Sequence, residues 1–263
     1  MEFDLALLRE DAGAAVRSLI EHIGPGDGER DALVDNTREL CGSFVTIAAA
    51  TLLLEGRSQP FFLNLCRSAE NWRRLLVHLE SRGLTPPPAF WGLTPLAGAV
   101  VACHWKLAAE LATHLSPRLQ KETEYAVEFA WAHALGALVL HGVRGEDPAP
   151  CIETLERASR EDCWPALAWA LVRGDAPAFE AAFETALSVH TVRTEKLARS
   201  FTVRVDRFAA HRFLWFDGLA LLRLARRQGL AVVDRGHRYC PPLALAPVTE
   251  RYPGDWVLSL GMP

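Results

Sequence analysis

Through most of the chain, apolar residues recur three and four positions apart, and glycine or proline repeatedly interrupts them. That spacing puts apolar side chains on one face of an α-helix. The pattern predicts a helix from Asp4 to about Ile23, stopped by Gly24-Pro25-Gly26, since proline cannot continue a helix and glycine permits the turn. A longer helix is expected from about Glu29 to Glu55, ended by Gly56, and a third from about Gln59 to Ser81, ended by Arg82-Gly83. The run Phe44 to Leu54 is apolar almost without interruption. It falls well short of the roughly 20 residues that cross a bilayer, so a buried helix is the reading.

The stretch GLTPPPAFWGL reads as a rigid connector, its prolines holding the backbone extended. Thr94-Pro95 then has the form of a helix cap followed by proline at the first helical position, opening a helix to about His114. Ser116-Pro117 repeats the device and opens a helix to about His141, closed by Gly142. The loop RGEDPAP, residues 144–150, is a candidate seam inside a single helical domain covering 1–263. Shorter helices are expected at Cys151 to Ser159, Trp164 to Val172 and Pro177 to about Lys196, and a last one from about Asp206 to the stop at Gly229. This is an all-α fold of about nine helices in antiparallel pairs. Leu230 to Val233 and Arg238 to Cys240 would form a short C-terminal β-ribbon turning through Asp234-Arg235-Gly236-His237. No fixed repeat period is present.

Half the residues are hydrophobic and 23% are charged, enough apolar surface for a real core and too much for a disordered chain. The acidic start MEFDLALLRED lacks the basic lead of a secretory signal, so a cytoplasmic protein is expected. Six cysteines without a CxxC pair then read as reduced core residues. The net charge of −4 argues against nucleic acid as the main partner. The charge is uneven: residues 193–238 carry eleven Lys and Arg against four acids, while the first 192 residues are strongly acidic. Such asymmetry can steer a charged macromolecule, although solvated helix faces account for it more simply.

Catalytic groups come in sets, because a nucleophile or base needs a partner within hydrogen-bond reach. The chain has no GxSxG, P-loop, GxGxxG or HExxH motif. Glu124, Glu128, His133 and His141 are the nearest approach to a metal site, but Glu128 and His133 stand five apart, about 140° from each other around a helix. Cys103-His104 is adjacent and so points two ways. His211, His237 and Cys240 could meet beside Tyr239 with Asp234 orienting an imidazole, yet nothing in the sequence fixes that. No catalytic residue, metal or cofactor is therefore expected. The eight tryptophans are scattered, and one or two of them could anchor a partner.

One stretch is more specific: HRFLWFDGLALLRLARRQGLAVVDRGHRYCPPL, residues 211–243. On a helical wheel Arg212, Arg223, Arg226 and Arg227 form one seam, predicted to face water or a partner. Asp217 falls inside the greasy face, where an unpaired carboxylate is costly. It should be the N-cap of a separate helix or pair with an arginine, and the cap is the preferred reading. The order of elements resembles the C-terminal part of the immunity protein 49 family of bacterial polymorphic toxin systems. Gly229 matches that family's helix stop, Val232 and Val233 its β-like run, and Tyr239 and Pro241 its Tyr-x-Pro turn. His237-Arg238 and the doubled Pro241-Pro242 depart from the pattern. The resemblance covers about the last third of the chain and transfers no catalytic residue. It implies a cytoplasmic protein that neutralises a cognate toxin by steric occlusion, with no nucleic-acid or membrane partner. Exposed acids on loops, Glu146, Asp147, Glu161 and Asp162, are the expected contacts for a basic toxin. A helical scaffold for a peptide or protein and a metal-dependent all-helical enzyme stay open as alternatives, as does the oligomeric state.

Overall fold

The computed structural model describes residues 4–24, 26, 28–159, 163–200, 205–232 and 236–260. The described residues form eleven α-helices and no strand. Three long helices come first: α1 (Leu5–Ile23), α2 (Arg30–Glu55) and α3 (Ser58–Ser81). Asp4 caps α1 by accepting from the Ala6 and Leu7 amides, and Gly56 ends α2 in the left-handed conformation at φ 65°. Helix α2 lies between α1 and α3 and buries Phe44, Val45, Ala48 and Ala49 against them.

The single helix expected over 94–114 is two: α4 (Leu93–Val101) and α5 (Trp105–Thr113). The chain breaks at Cys103, which sits at φ 54°, and His104 caps α5 through Nδ1, 3.3 Å from the Leu107 amide. The start of α4 also differs, because a 3-10 turn over Ala89–Gly92 leads into it and Thr94 is not the cap. Residues 116–125 are a loop rather than helix. Buried Glu124 holds it closed, accepting from the Phe90 and Gln120 amides at 3.1 Å each. Helix α6 (Ala126–Arg144) follows, then α7 (Ala149–Ala158), α8 (Cys163–Arg173) and α9 (Ala176–Ala198). One buried cluster runs from Val16 to Leu260, so the core is continuous across the 144–150 loop. Helices α2 and α6 are long and apolar enough to cross a membrane by length and composition, and much of each is interior to this bundle.

The last predicted helix also divides, into α10 (Val205–Phe213) and α11 (Phe216–Arg227), with Leu214 and Trp215 between them. Gly229 at φ 78° ends the segment as expected. The β-ribbon does not form among the described residues: Val232 is irregular, Val233 to Arg235 lie outside them, and only an isolated bridge joins His237 to Cys240. The Tyr-x-Pro turn has a different role. The Tyr239 carbonyl accepts from the Trp215 amide at 2.9 Å, so the turn clamps the α10–α11 joint.

The arginine seam is split: Arg226 and Arg227 are exposed, as expected, whereas Arg212 is half-buried and Arg223 is internal. Arg223 is 8% exposed and donates to the carbonyls of Val101 (3.0 Å) and Ala246 (2.7 Å). Arg226 reaches the Leu245 carbonyl, Arg227 the Gly142 carbonyl, and Arg212 pairs with Glu195. Arg223, Arg226 and Arg227 join α11 to its neighbours through backbone carbonyls, a use that wheel geometry alone cannot distinguish from simple exposure.

Residues 247–260 cross α3 as an extended strap. A stripe of polar side chains on that helix grips it. Gln59 accepts from the Thr249 and Glu250 amides, and Arg67 meets Asp255 with two bonds of 2.9 and 2.6 Å. Asn71 donates to the Trp256 carbonyl and accepts from the Leu258 amide. Arg74 reaches the Leu258 carbonyl, and His78 Nδ1 the Leu260 carbonyl.

Candidate functional site

Two concavities stand out. A small one of about 280 Å³ opens between α9 and His237, over Phe179 and Phe183. The other is an open cleft of about 1350 Å³ whose walls come from every α-helix except α5. The larger cleft brings together a carboxyl and two imidazoles whose ionisation burial displaces, Asp217, His190 and His211, so it is the better site.

Its inner wall is aromatic. Trp131 of α6 and Trp164 of α8 stand 4.5 Å apart between ring centroids, and Trp164 meets Trp215 edge-on at 6.0 Å. The His190 ring of α9 stacks on Trp215 at 4.9 Å and 18°. Trp215 can fold back over α11 only because residue 218 is glycine: a Cβ there would stand 2.2 Å from the indole ring. With the Tyr239 carbonyl holding its amide, Trp215 is fixed from both sides.

Asp217 lines this wall in the first turn of α11. The cap at α11 is Trp215, so Asp217 is not the cap, and no ion pair holds it among the described residues. Its Oδ2 accepts from Trp131 Nε1 at 3.2 Å, the one hydrogen bond it makes among the described residues. Burial pushes its carboxyl up to about 6, against the downward pull of that bond and of the Arg193 charge. Both histidines move the other way. Burial takes His211 down to about 4, and takes His190 to about 4 with further repulsion from His211 and Arg193. At neutral pH the cleft floor therefore holds one carboxylate and two uncharged imidazoles. Arg193 and Lys196 are exposed at the rim, as is Glu39, with half-buried Arg38 lying 4.1 Å over Trp91.

These groups share a cleft without forming a relay. The bond of Asp217 goes to Trp131, that of His190 goes to Thr194 at 3.2 Å, and His211 meets Phe216 by a ring edge. A general base needs its orienting carboxylate within reach, and here each hydrogen bond leads elsewhere. The geometry suits binding better than proton transfer. Among the described residues no group of three His, Cys, Asp or Glu is placed to hold a metal ion.

The acids expected at an interface lie elsewhere. Glu146 and Asp147 are exposed on the α6–α7 loop and do not line the cleft; Glu146 is 3.4 Å from Arg144, and Asp147 accepts from the Ala149 amide at 3.0 Å. Glu161 and Asp162 lie outside the described residues. Of the residues weighed for metal, Glu124 closes a loop, Glu128 caps α6 through the Tyr125 amide, and His133 and His141 bind the carbonyls of Ser116 and Glu146. His237 sits 3.5 Å from Glu184, while Cys240 is buried, as are Cys41, Cys66 and Cys163, and all six cysteines are free thiols. His190, Arg193, Trp131 and Trp164 carried no signal in the sequence, because separate helices bring them together. Asp217, out of place in a greasy helix, was the one visible sign. In comparisons with family models, curated proteins and solved structures, no match to this chain was found.

Proposed function

We propose that the chain is a toxin-neutralising binding protein of the immunity type, and that the aromatic cleft receives a segment of the toxin. The observation that carries this reading is the cleft's size and openness. At about 1350 Å³ it exceeds the roughly 300–1,000 Å³ of ordinary small-molecule sites, and it opens along several helices. A groove of that scale takes a peptide segment or a loop of another protein. Tryptophans set in a rigid wall are the usual anchors of such contacts. Buried Arg223 and the strap brace α11 and α3, two of the helices that carry the wall, which lowers the ordering cost of binding. The resemblance of residues 211–243 to the immunity protein 49 pattern favours the same reading. Neutralisation is then steric: the helical surface covers the toxin's working face.

Co-expression with a toxin encoded beside this gene tests the reading. Cells that otherwise die should survive, and a Trp131→Ala, Trp164→Ala variant that stays folded should lose the protection. Continued death with soluble protein present would refute neutralisation and favour a scaffold that uses the same cleft for another peptide.

A further inference from the structure

We propose that Asp217 is the anchor for a lysine or arginine side chain of the protein that enters the cleft. The inference rests on the reading of the cleft as a protein-binding groove, and it adds the chemistry of the occupant. A carboxylate can accept about four hydrogen bonds, and Asp217 accepts one, from Trp131. The remaining capacity faces the cleft, which Asp217 lines as a half-buried residue.

Among the described residues no ion pair gives Asp217 a counter-charge. His190 and His211 are uncharged at neutral pH. The Arg193 charge pulls the Asp217 carboxyl down, but Arg193 is exposed, and no ion pair joins it to a carboxylate among the described residues. Glu128 of α6, also in the cleft wall, adds negative charge.

The rings beside Asp217 point to the same occupant. Elsewhere six arginines lie over aromatic rings, among them Arg38 over Trp91 and Arg227 over Trp105 at 4.5 Å. Among the described residues no lysine or arginine lies over Trp131. A cation reaching Asp217 would come up beside the Trp131 indole whose N–H that carboxylate accepts, and would gain a charge-assisted hydrogen bond there. An anionic occupant would meet an ionised carboxylate on the floor and be repelled.

The test uses the whole protein and small probes, so it is independent of any toxin. Nα-acetyl-lysine methylamide, the arginine analogue and the uncharged norleucine analogue are titrated at pH 7.5 and read by tryptophan fluorescence. The two cations should saturate the response and bind at least about tenfold tighter than norleucine, a difference of roughly 1.4 kcal/mol. Asp217→Asn should remove that preference. Arg193→Ala, which deletes a competing positive charge, should tighten cation binding a few-fold. Lowering the pH to 5 should weaken it about tenfold, because Asp217 protonates near 6 while both histidines stay neutral down to about 4. Equal binding of norleucine, tighter binding of the glutamate analogue, weaker cation binding in Arg193→Ala, or no saturable response up to about 100 mM would each overturn the assignment. Should Asp217→Asn fail to fold, the Arg193→Ala and pH results decide alone. Failure of the probes with rescue by co-expression would reject the anchor and keep the immunity reading; the converse would reject the immunity reading and keep the anchor.

Discussion

Replacing Asp217 by asparagine should stabilise the protein, and the gain should depend on pH. The side chain keeps its size, and the asparagine carbonyl oxygen can still accept from Trp131 Nε1, 3.2 Å away in the native protein. What disappears is the cost of holding a charge there. The carboxyl titrates near 6 in the fold against an ordinary value of 3.8. A raised acid pKa means that the folded state holds its proton longer than the unfolded chain does. Between those two values the fold therefore loses stability as pH rises, and the loss is complete above about 6. The penalty amounts to about 3 kcal/mol at pH 7, about 1.5 at pH 5 and almost nothing at pH 3. Urea unfolding of both proteins at the three pH values, followed by tryptophan fluorescence and circular dichroism, measures it. The variant should gain most at pH 7, and the two curves should converge at pH 3. An asparagine variant that is less stable at pH 7, or a gain that does not change with pH, would refute the argument that burial governs this carboxyl.

The other predictions concern parts that position the same cleft. Gly218→Ala should cost about 3 kcal/mol and expose Trp215, since the added methyl meets its ring at 2.2 Å; a red-shifted fluorescence spectrum with a lower urea midpoint is the expected result. His211→Phe should resist acid: the native imidazole, held near 4 against an ordinary 6.5, contributes stability present above 6.5 and lost as pH falls toward 4, about 3 kcal/mol that the variant does not lose. Acid unfolding monitored by circular dichroism gives the comparison. Arg223→Met should lower stability by about 2 kcal/mol by leaving the carbonyls of Val101 and Ala246 unpaired, measurable as a fall in the urea midpoint without a change in slope.

The sequence announces its long helices because their boundaries are local. Gly24 and Gly56 stop α1 and α2 where the apolar pattern lapses, and no tertiary contact is needed to see it. Breaks that depend on tertiary structure are invisible. Nothing around Cys103 marks a residue that will sit at φ 54°, and Leu214-Trp215 reads as helix until Tyr239 claims the Trp215 amide. Glu124 resembles a helix-face acid until Phe90, 34 positions earlier, supplies an amide. Wheel geometry located the arginine seam, but exposure and burial against carbonyls give the same wheel. Asp217 was legible as an anomaly, because a carboxylate among leucines needs an explanation. Its neighbours were not, since Trp131, His190 and His211 meet it only when α6, α9, α10 and α11 assemble.

The strap over α3 has a consequence for biosynthesis. Gln59, Arg67, Asn71, Arg74 and His78 engage chiefly its main chain, while the acceptor and donor groups they need belong to residues 247–260. On the ribosome, α3 emerges roughly 10–30 s before those residues are made. Until then a polar stripe faces water on a helix that is otherwise core, and the nascent bundle stays unfinished along that edge. Emergence of residues 247–260, more than the formation of any single helix, completes this edge of the bundle, so variants that weaken this ladder should depend on chaperones during synthesis more than mature stability alone would suggest.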